Sequence, residues 1–414
     1  MPNSTGAMVM AIEVRSCRDD VEMQQYYDIG SYVFADPDLI PTDNGGTAPD
    51  WTTCAWVDGT LAAIMGAFPF TVRLNGAPVK MAGVTQVGTL PGYRRQGLLR
   101  KIMTQAFSDM RDREQPFAIL WASMAAIYQR FGYGLASDDM KYRFDPRTAA
   151  LRDMAEPPGV VSVQTPEEAY PTAKMLYIEY ATPRNLHIHR SRALWEVGIF
   201  RMPKDHGPVR VAIYRDADGQ PRGHIVYQVY HGHFDTPGPD QVMDVRDFVY
   251  LDLDAHRALW QYILKHDLVR RVDMDGCIGE DDPTPDLLLE PRMLGRHAKD
   301  GIWMRVIDAA RALTARPYGS RGELVVEIQG DGICPWNEGR WVIETDGPTT
   351  EARRTDRTAD LVVNPNALAS LLSGHRNASR LARLGTIAAA DATVLTRADA
   401  MFATRYAPHC PNGF

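Results

Sequence analysis

The chain has 414 residues, more than one hydrophobic core usually serves, so two or three domains are expected. A composition of 45% apolar and 23% charged residues excludes a disordered chain, and a formal net charge of −7 disfavours non-specific nucleic-acid binding. Cys17, Cys54, Cys277, Cys334 and Cys410 contain no C-x-x-C pair, no basic flank precedes the apolar patch AMVMAI, and no apolar run approaches a membrane span, so a soluble cytoplasmic protein without metal, disulfide or membrane partner is expected.

The first section, to about residue 148, alternates strand and helix signals. LAAIMGAFPFTVRLNGAPVKMAGVTQVGTL reads as two strands around Asn75-Gly76, a pair that tolerates the positive φ of a tight hairpin. Leu98, Leu99, Ile102, Met103, Phe107 and Met110 recur at helical spacing, which predicts a helix over 98–112. FAILWAS, at 117–123, follows as a short buried strand, completing a βαβ unit with a parallel pair.

A second section begins after the loop AEPPGVVSVQTPEEA. It carries a hairpin signal, VAIYRDADGQPRGHIVYQVY, and then a strand, turn, helix and strand at nearly the spacing of the first unit. Its turn, LDLDAHRALW, has Asp252 and Asp254 and no glycine, which predicts that it holds no anion. From about residue 301, ELVVEIQGDGICPWNEGRWVIETDG alternates like antiparallel strands, and NALASLLSG and ASRLARLG read as short helices ending at glycine.

The stretch VGTLPGYRRQGLLRKIM, residues 87–103, carries the chemistry. A turn opening a helix leaves backbone N–H groups without intrahelical partners, and the helix dipole favours negative charge there. Arg94 and Arg95 add positive charge, and Gly97 permits close approach. The spacing is neither that of a P-loop nor that of a dinucleotide fold. R-x-x-G after a strand ending VGTLP resembles the coenzyme A loop of the GNAT superfamily of N-acetyltransferases, departing from it at Leu99, where a small residue is usual. Together with AIYQRFGYGLAS at 126–137, a second acetyltransferase-like section lacking the loop, a sterol-carrier-like third section and Phe414 at the end of the sequence, it resembles the Eis-type acetyltransferases over nearly the full length.

That resemblance implies an α/β and α+β fold: a GNAT domain at 1–148, a second GNAT-like domain at 149–300 and a sterol-carrier-protein-like domain at 301–414. It implies acetyl-CoA as cosubstrate. Val87, Gly88 and Thr89 would offer backbone groups to the acyl carbonyl, Arg94, Arg95, Gln96, Gly97, Leu98, Leu99 and Arg100 would hold the pyrophosphate, and Ser123 and Met124 would line the coenzyme. Tyr128 would be the general acid and the α-carboxylate of Phe414 the base, acting on amines such as aminoglycosides within a homohexamer. From its own neighbourhood alone, Tyr128 reads first as an aromatic packed with Phe131 and Tyr133, and the resemblance reverses that order. His187 and His189 read as capping or packing residues. In SYVFADPDL, Asp36 and Asp38 come slightly after Phe34, which leaves a less cationic amine open. The rival function is a non-catalytic acyl-CoA or lipid-binding protein using the third domain.

Overall fold

The computed structural model describes residues 10–36, 46–153, 155–201, 203 and 206–414. Three sheets organise them. β1 (Ile12–Arg15), followed by helix α1 (Asp20–Phe34), leads to an antiparallel run of β2 (Cys54–Val57), β3 (Thr60–Leu74) and β4 (Ala77–Thr89). The β3–β4 turn is Asn75-Gly76 at φ 49° and 90°, the positive-φ pair expected of it. The predicted helix is α2 (Leu98–Asp112), with Leu98, Ile102, Met103, Phe107 and Met110 buried and Arg100 and Lys101 exposed. β5 (Phe117–Trp121) runs parallel to β4, and the short α3 (Ala125–Gln129) follows it. The βαβ unit is therefore present, its second strand ending at Trp121.

Here the chain changes sheets. After β6 (Gly134–Leu135), β7 (Asp138–Phe144) enters the second sheet, which continues with β8 (Gly159–Gln164), α4 (Pro166–Ala181), β9 (Arg210–Asp216), β10 (Pro221–His231), β11 (Gln241–Tyr250), α5 (Leu253–Leu264), β12 (Val269–Ile278) and β13 (His297–Asp300). β14 (Ile302–Val306) then returns to the first sheet between β5 and β6. Cuts at 148 and 300 thus do not separate the sheets: β7 lies before the first cut and β14 beyond the second. Alternation identifies a strand but not its partner, so this exchange is invisible in the sequence. At the crossing, Gly301 N–H donates to the Ser137 carbonyl at 2.9 Å, and Ile302 N–H donates to Ser137 Oγ at 3.0 Å.

The third sheet takes the strands Gly322–Ile328, Gly339–Thr345, Thr350–Arg354, Leu361–Val363 and Ile387–Ala389. Helix Pro365–Ser373 ends on Gly374 at φ 77°, the left-handed cap predicted for it. Leu324, Leu368 and Phe402 share one apolar core with Met81, Ile119 and Met304 of the first sheet, so the third unit is packed onto the first. Asn366 Nδ2 donates across that boundary to the carbonyls of Gln129 and Tyr133, at 2.8 and 2.7 Å. Among the described residues, no helix is long and apolar enough to cross a membrane.

Candidate active site

β4 and β5 pair only from Met81 opposite Phe117 to Gly83 opposite Ile119, although β4 continues to Thr89. Beyond Gly83 the two strands part. A bulge adds to the opening: between Ile64–Gly66 of β3 and Thr85–Gly88 of β4 the register slips, and Gln86 takes φ 49°. The wedge leaves the Val87–Thr89 side of β4 without a β5 neighbour, so its backbone groups are available to a ligand.

α2 starts at the far end of β4. Gly97 precedes its first turn at φ 79°, no side chain caps it, and that turn contains no acidic residue. Arg94, Arg95 and Gln96 are exposed, and a side chain added at Gly97 would meet open space. Arg95 also takes a positive φ, 65°, and Arg94 donates from Nε to the Thr89 carbonyl at 3.2 Å, tying the turn to the end of β4. Uncapped N–H groups, two exposed guanidinium groups nearby and no acidic residue in the first turn fit a pyrophosphate such as that of acetyl-CoA. The matching turn of the second sheet does not. There Asp252 caps α5, accepting from Ala255 N–H at 2.8 Å, Asp254 occupies the first turn, and Arg222 is bound to Asp252 at 2.8 Å. That turn carries its own carboxylates where the first has none.

Tyr128 lies on α3, just past β5. It is buried, edge-on to Tyr133 with ring centroids 5.8 Å apart, in one cluster with Phe131. The packing reading of this residue therefore holds, and it is compatible with a chemical role. Burial pushes the phenol above its ordinary range, against the pull of the Ser123 hydroxyl, so it stays protonated at neutral pH. Ser123 and Met124 are exposed beside it.

On the other side of the wedge is a cavity of about 980 Å³. Tyr27 of α1 and Phe68, Phe70, Thr85, Gln86 and Trp121 of the first sheet face Asp139, Arg246, Asp275 and Lys299 of the second, and residues 410–414 close one side. Among the described residues, the third unit contributes only that last segment to the wall. Tyr128 is not part of the wall. The ring of Phe414 lies edge-on to Phe70, with centroids 5.1 Å apart at 77°. Of the acidic residues considered near Phe34, Asp36 lies just past the end of α1, outside the cavity wall, and Asp38 lies outside the described residues.

The segment leading to Phe414 is held by both sheets. Pro408 bridges to Asn185, His409 N–H donates to the Asn185 carbonyl at 3.0 Å, and the His409 ring donates from Nε2 to the Gly276 carbonyl at 3.1 Å. Trp121 Nε1–H donates to the Asn412 carbonyl at 2.9 Å, and Arg190 Nε–H reaches Asn412 Oδ1 at 3.4 Å. Arg190 in turn is fully buried in a two-bond ion pair with Asp247, at 2.7 and 2.9 Å, which also receives His224 Nε2 at 3.0 Å. Burial alone would raise the Asp247 carboxyl, but Arg190 and His224 hold it well below the usual carboxylate range. His187 packs among Tyr177, Tyr180 and His409 and is kept neutral by burial, whereas His189 reaches the cavity wall. Asn412, Arg190 and Asp247 carried no motif, because their relation exists only once the tail is docked.

Comparison with known proteins agrees with this architecture. Models of acetyltransferase (GNAT) domains match residues 13–136 and 186–310, and a sterol carrier protein domain matches 309–411. An uncharacterized N-acetyltransferase of Streptomyces griseus is 30% identical over 352 residues, 82% of this chain and 83% of the relative. The N-acetyltransferase Eis of Mycobacterium tuberculosis is 28% identical over 379 residues, 86% of this chain and 90% of its own. The crystal structure of Eis1 from Mycobacterium abscessus superposes with a TM-score of 0.81 at 27% identity, over 97% of this chain and 100% of that one.

Proposed function

Given that the chain belongs to the Eis-type N-acetyltransferases of the GNAT superfamily, and is thus an acetyl-CoA-dependent acetyltransferase, we propose that it acetylates primary amines in the cavity between its first two sheets, aminoglycosides at several positions among them. The observation that carries this reading is the wedge between β4 and β5, with an uncapped, arginine-flanked helix start on one side and an aromatic cavity on the other. Acetyl-CoA supplies a thioester-activated acetyl group. Arg94, Arg95 and the N–H groups from Gln96 to Arg100 hold the pyrophosphate, and backbone groups of Val87–Thr89 polarise the acyl carbonyl. Tyr128, beside Ser123 and Met124, gives its proton to the departing thiolate, for which a phenol kept neutral by burial is suited. In a chain ending at Phe414, whose ring packs on Phe70, the α-carboxylate of that residue takes the ammonium proton and frees the amine to attack.

The test is thiol release from acetyl-CoA across aminoglycosides, polyamines and lysine-containing peptides, with wild type and Tyr128→Phe. Turnover on multi-amine aminoglycosides is expected. Tyr128→Phe should lower kcat by about 10²–10⁴-fold, the usual worth of a general acid, with acetyl-CoA affinity kept. No turnover on any amine despite acetyl-CoA binding would favour the non-catalytic acyl-CoA-binding reading.

A further inference from the structure

We infer that Asp138, Glu280 and His375 form a binding site for a zinc-type divalent cation where the second sheet meets the third unit. Asp138 opens β7 at the first crossing between sheets, Glu280 follows the end of β12, and His375 comes just after Gly374, the cap of helix Pro365–Ser373. One ligand atom from each lies within 4.8 Å of the other two. Ligands so far apart in the chain leave no spacing to read, which is why the sequence carries no trace of the set. The site is separate from the acceptor cavity. Asp139 belongs to that cavity's wall, its neighbour Asp138 points to the other face of β7 as successive strand residues do, and none of the three ligands lines the cavity.

His375 is the residue that points to a ligand. Its side chain is 1% exposed, yet Nε2 is buried without a hydrogen-bond partner among the described residues. A buried ring nitrogen left unpaired is costly, and a cation that takes its lone pair regains that cost. The ring is also aimed: Gly374 turns the chain at φ 77°, His375 N–H donates to Ser373 Oγ at 3.2 Å, and Nε2 stands 3.4 Å from Asp138 Oδ1. That separation is long for a charged hydrogen bond, about 2.7–2.9 Å. It is instead the edge of a tetrahedron drawn around zinc with bonds of about 2.0–2.1 Å, roughly 3.3–3.4 Å. Glu280 is exposed, so its carboxylate can close the remaining distance without disturbing the core. One imidazole and two carboxylates suit zinc, with water in the fourth position, whereas magnesium and calcium favour oxygen ligands alone.

Arg376 is the competitor for this site. Its Nη2 reaches Asp138 Oδ2 at 3.5 Å, and its Nη1 stands 3.4 Å from His375 Nδ1, a contact that opposes ligation, because a metal on Nε2 leaves the ring proton on Nδ1. Both contacts are long, so the guanidinium is a weak occupant, and it leaves Asp138 Oδ1 to the cation. Occupancy also bears on the tail. The loop that carries Glu280 holds the segment leading to Phe414, since Asp281 Oδ2 accepts from Ala407 N–H at 3.0 Å, and a cation on Glu280 ties that loop to the third unit.

The probe is zinc chloride, titrated by calorimetry into chelator-treated full-length wild type, Glu280→Gln, His375→Gln and Arg376→Gln. Wild type should take up zinc at this site in a one-to-one ratio. Glu280→Gln and His375→Gln should each weaken it by about a hundredfold, the upper end of what even outer-shell partners contribute. Glu280 is exposed, so its variant tests the site even where His375→Gln misfolds. Arg376→Gln, which removes the competing cation, should tighten zinc by about tenfold. A histidine that only packs makes a different forecast: zinc uptake is absent, or is unchanged in both ligand variants, and either result overturns the inference. Weaker zinc in Arg376→Gln, the mark of a fold that merely loosens, overturns it as well. So does calcium that binds as tightly as zinc, because an imidazole ligand disfavours it.

Discussion

Gly83 occupies the last paired position of β4 with β5, opposite Ile119, where the wedge begins. Replacing it with alanine places a methyl group 2.5 Å from Phe70 Cδ2 and 3.3 Å from Phe414 Cδ2. Carbon atoms in ordinary contact stand about 3.5–4.0 Å apart, so the Phe70 ring must move by roughly 1 Å or more. Phe70 is the ring against which Phe414 packs, and displacing one displaces the other. Forced overpacking of this kind costs about 1–3 kcal/mol, and a misplacement of about 1 Å at a reacting group costs on the order of 10²-fold in rate. Gly83→Ala should therefore lower kcat about a hundredfold. KM for acetyl-CoA should stay within about twofold, because the anion turn lies at the far end of β4. Thiol release across acetyl-CoA concentrations measures kcat and KM, and urea denaturation followed by tryptophan fluorescence measures the overpacking cost. Phe70→Leu in the same chain reopens the space and should recover part of the rate. A destabilised Gly83→Ala with unchanged kcat would refute a reacting role for Phe414. Unchanged stability would refute the packing itself.

Arg94→Ala and Arg95→Ala should each raise KM for acetyl-CoA about tenfold, with the effect shrinking as salt is added, because both side chains stand in solvent. Salt-independent losses would contradict a pyrophosphate role. Asp247→Ala strands the buried Arg190 charge and should cost about 3–5 kcal/mol by denaturant titration, whereas a loss under about 1 kcal/mol would mean that Arg190 finds another partner. Burial lowers His409 to about 4, below its unfolded value of about 6.5. The unfolded chain then takes up the proton first as pH falls, so this stabilisation is complete above about 6.5 and is lost between there and about 4. Between pH 7 and pH 5 its share of the loss is about 2 kcal/mol, and His409→Gln should remove that much from the acid limb; an unaltered limb would place the ring in water.

Periodic features were legible and relational ones were not. The hairpin at Asn75-Gly76, helix Leu98–Asp112 and the glycine cap at Gly374 all follow from spacing and local chemistry, and each stands where it was expected. β7 and β14 were not identified as strands from the sequence, and alternation would in any case give no address for the sheet that receives them. Gln86 gave no warning of its bulge, because nothing in a glutamine favours φ 49°; tertiary pairing imposes it.

The double crossing of the chain also bears on how such an enzyme can be altered. Between Leu135 and Asp138, and again between Asp300 and Ile302, a connection of two or fewer residues carries the backbone from one sheet to the other. Neither half can be excised with its sheet whole. Removing everything beyond residue 300 takes an inner strand from the first sheet, and removing everything before residue 149 takes β7 from the second. Neither half is thus a portable module, and recombination between relatives must exchange both or leave a strand vacancy. A hinge at the crossing would have to break the bonds between Ser137 and residues 301–302. New acceptor specificity is consequently expected to arise from side chains on the cavity wall, since two short crossings and the hydrogen bonds at Ser137 oppose a change in how the two sheets meet.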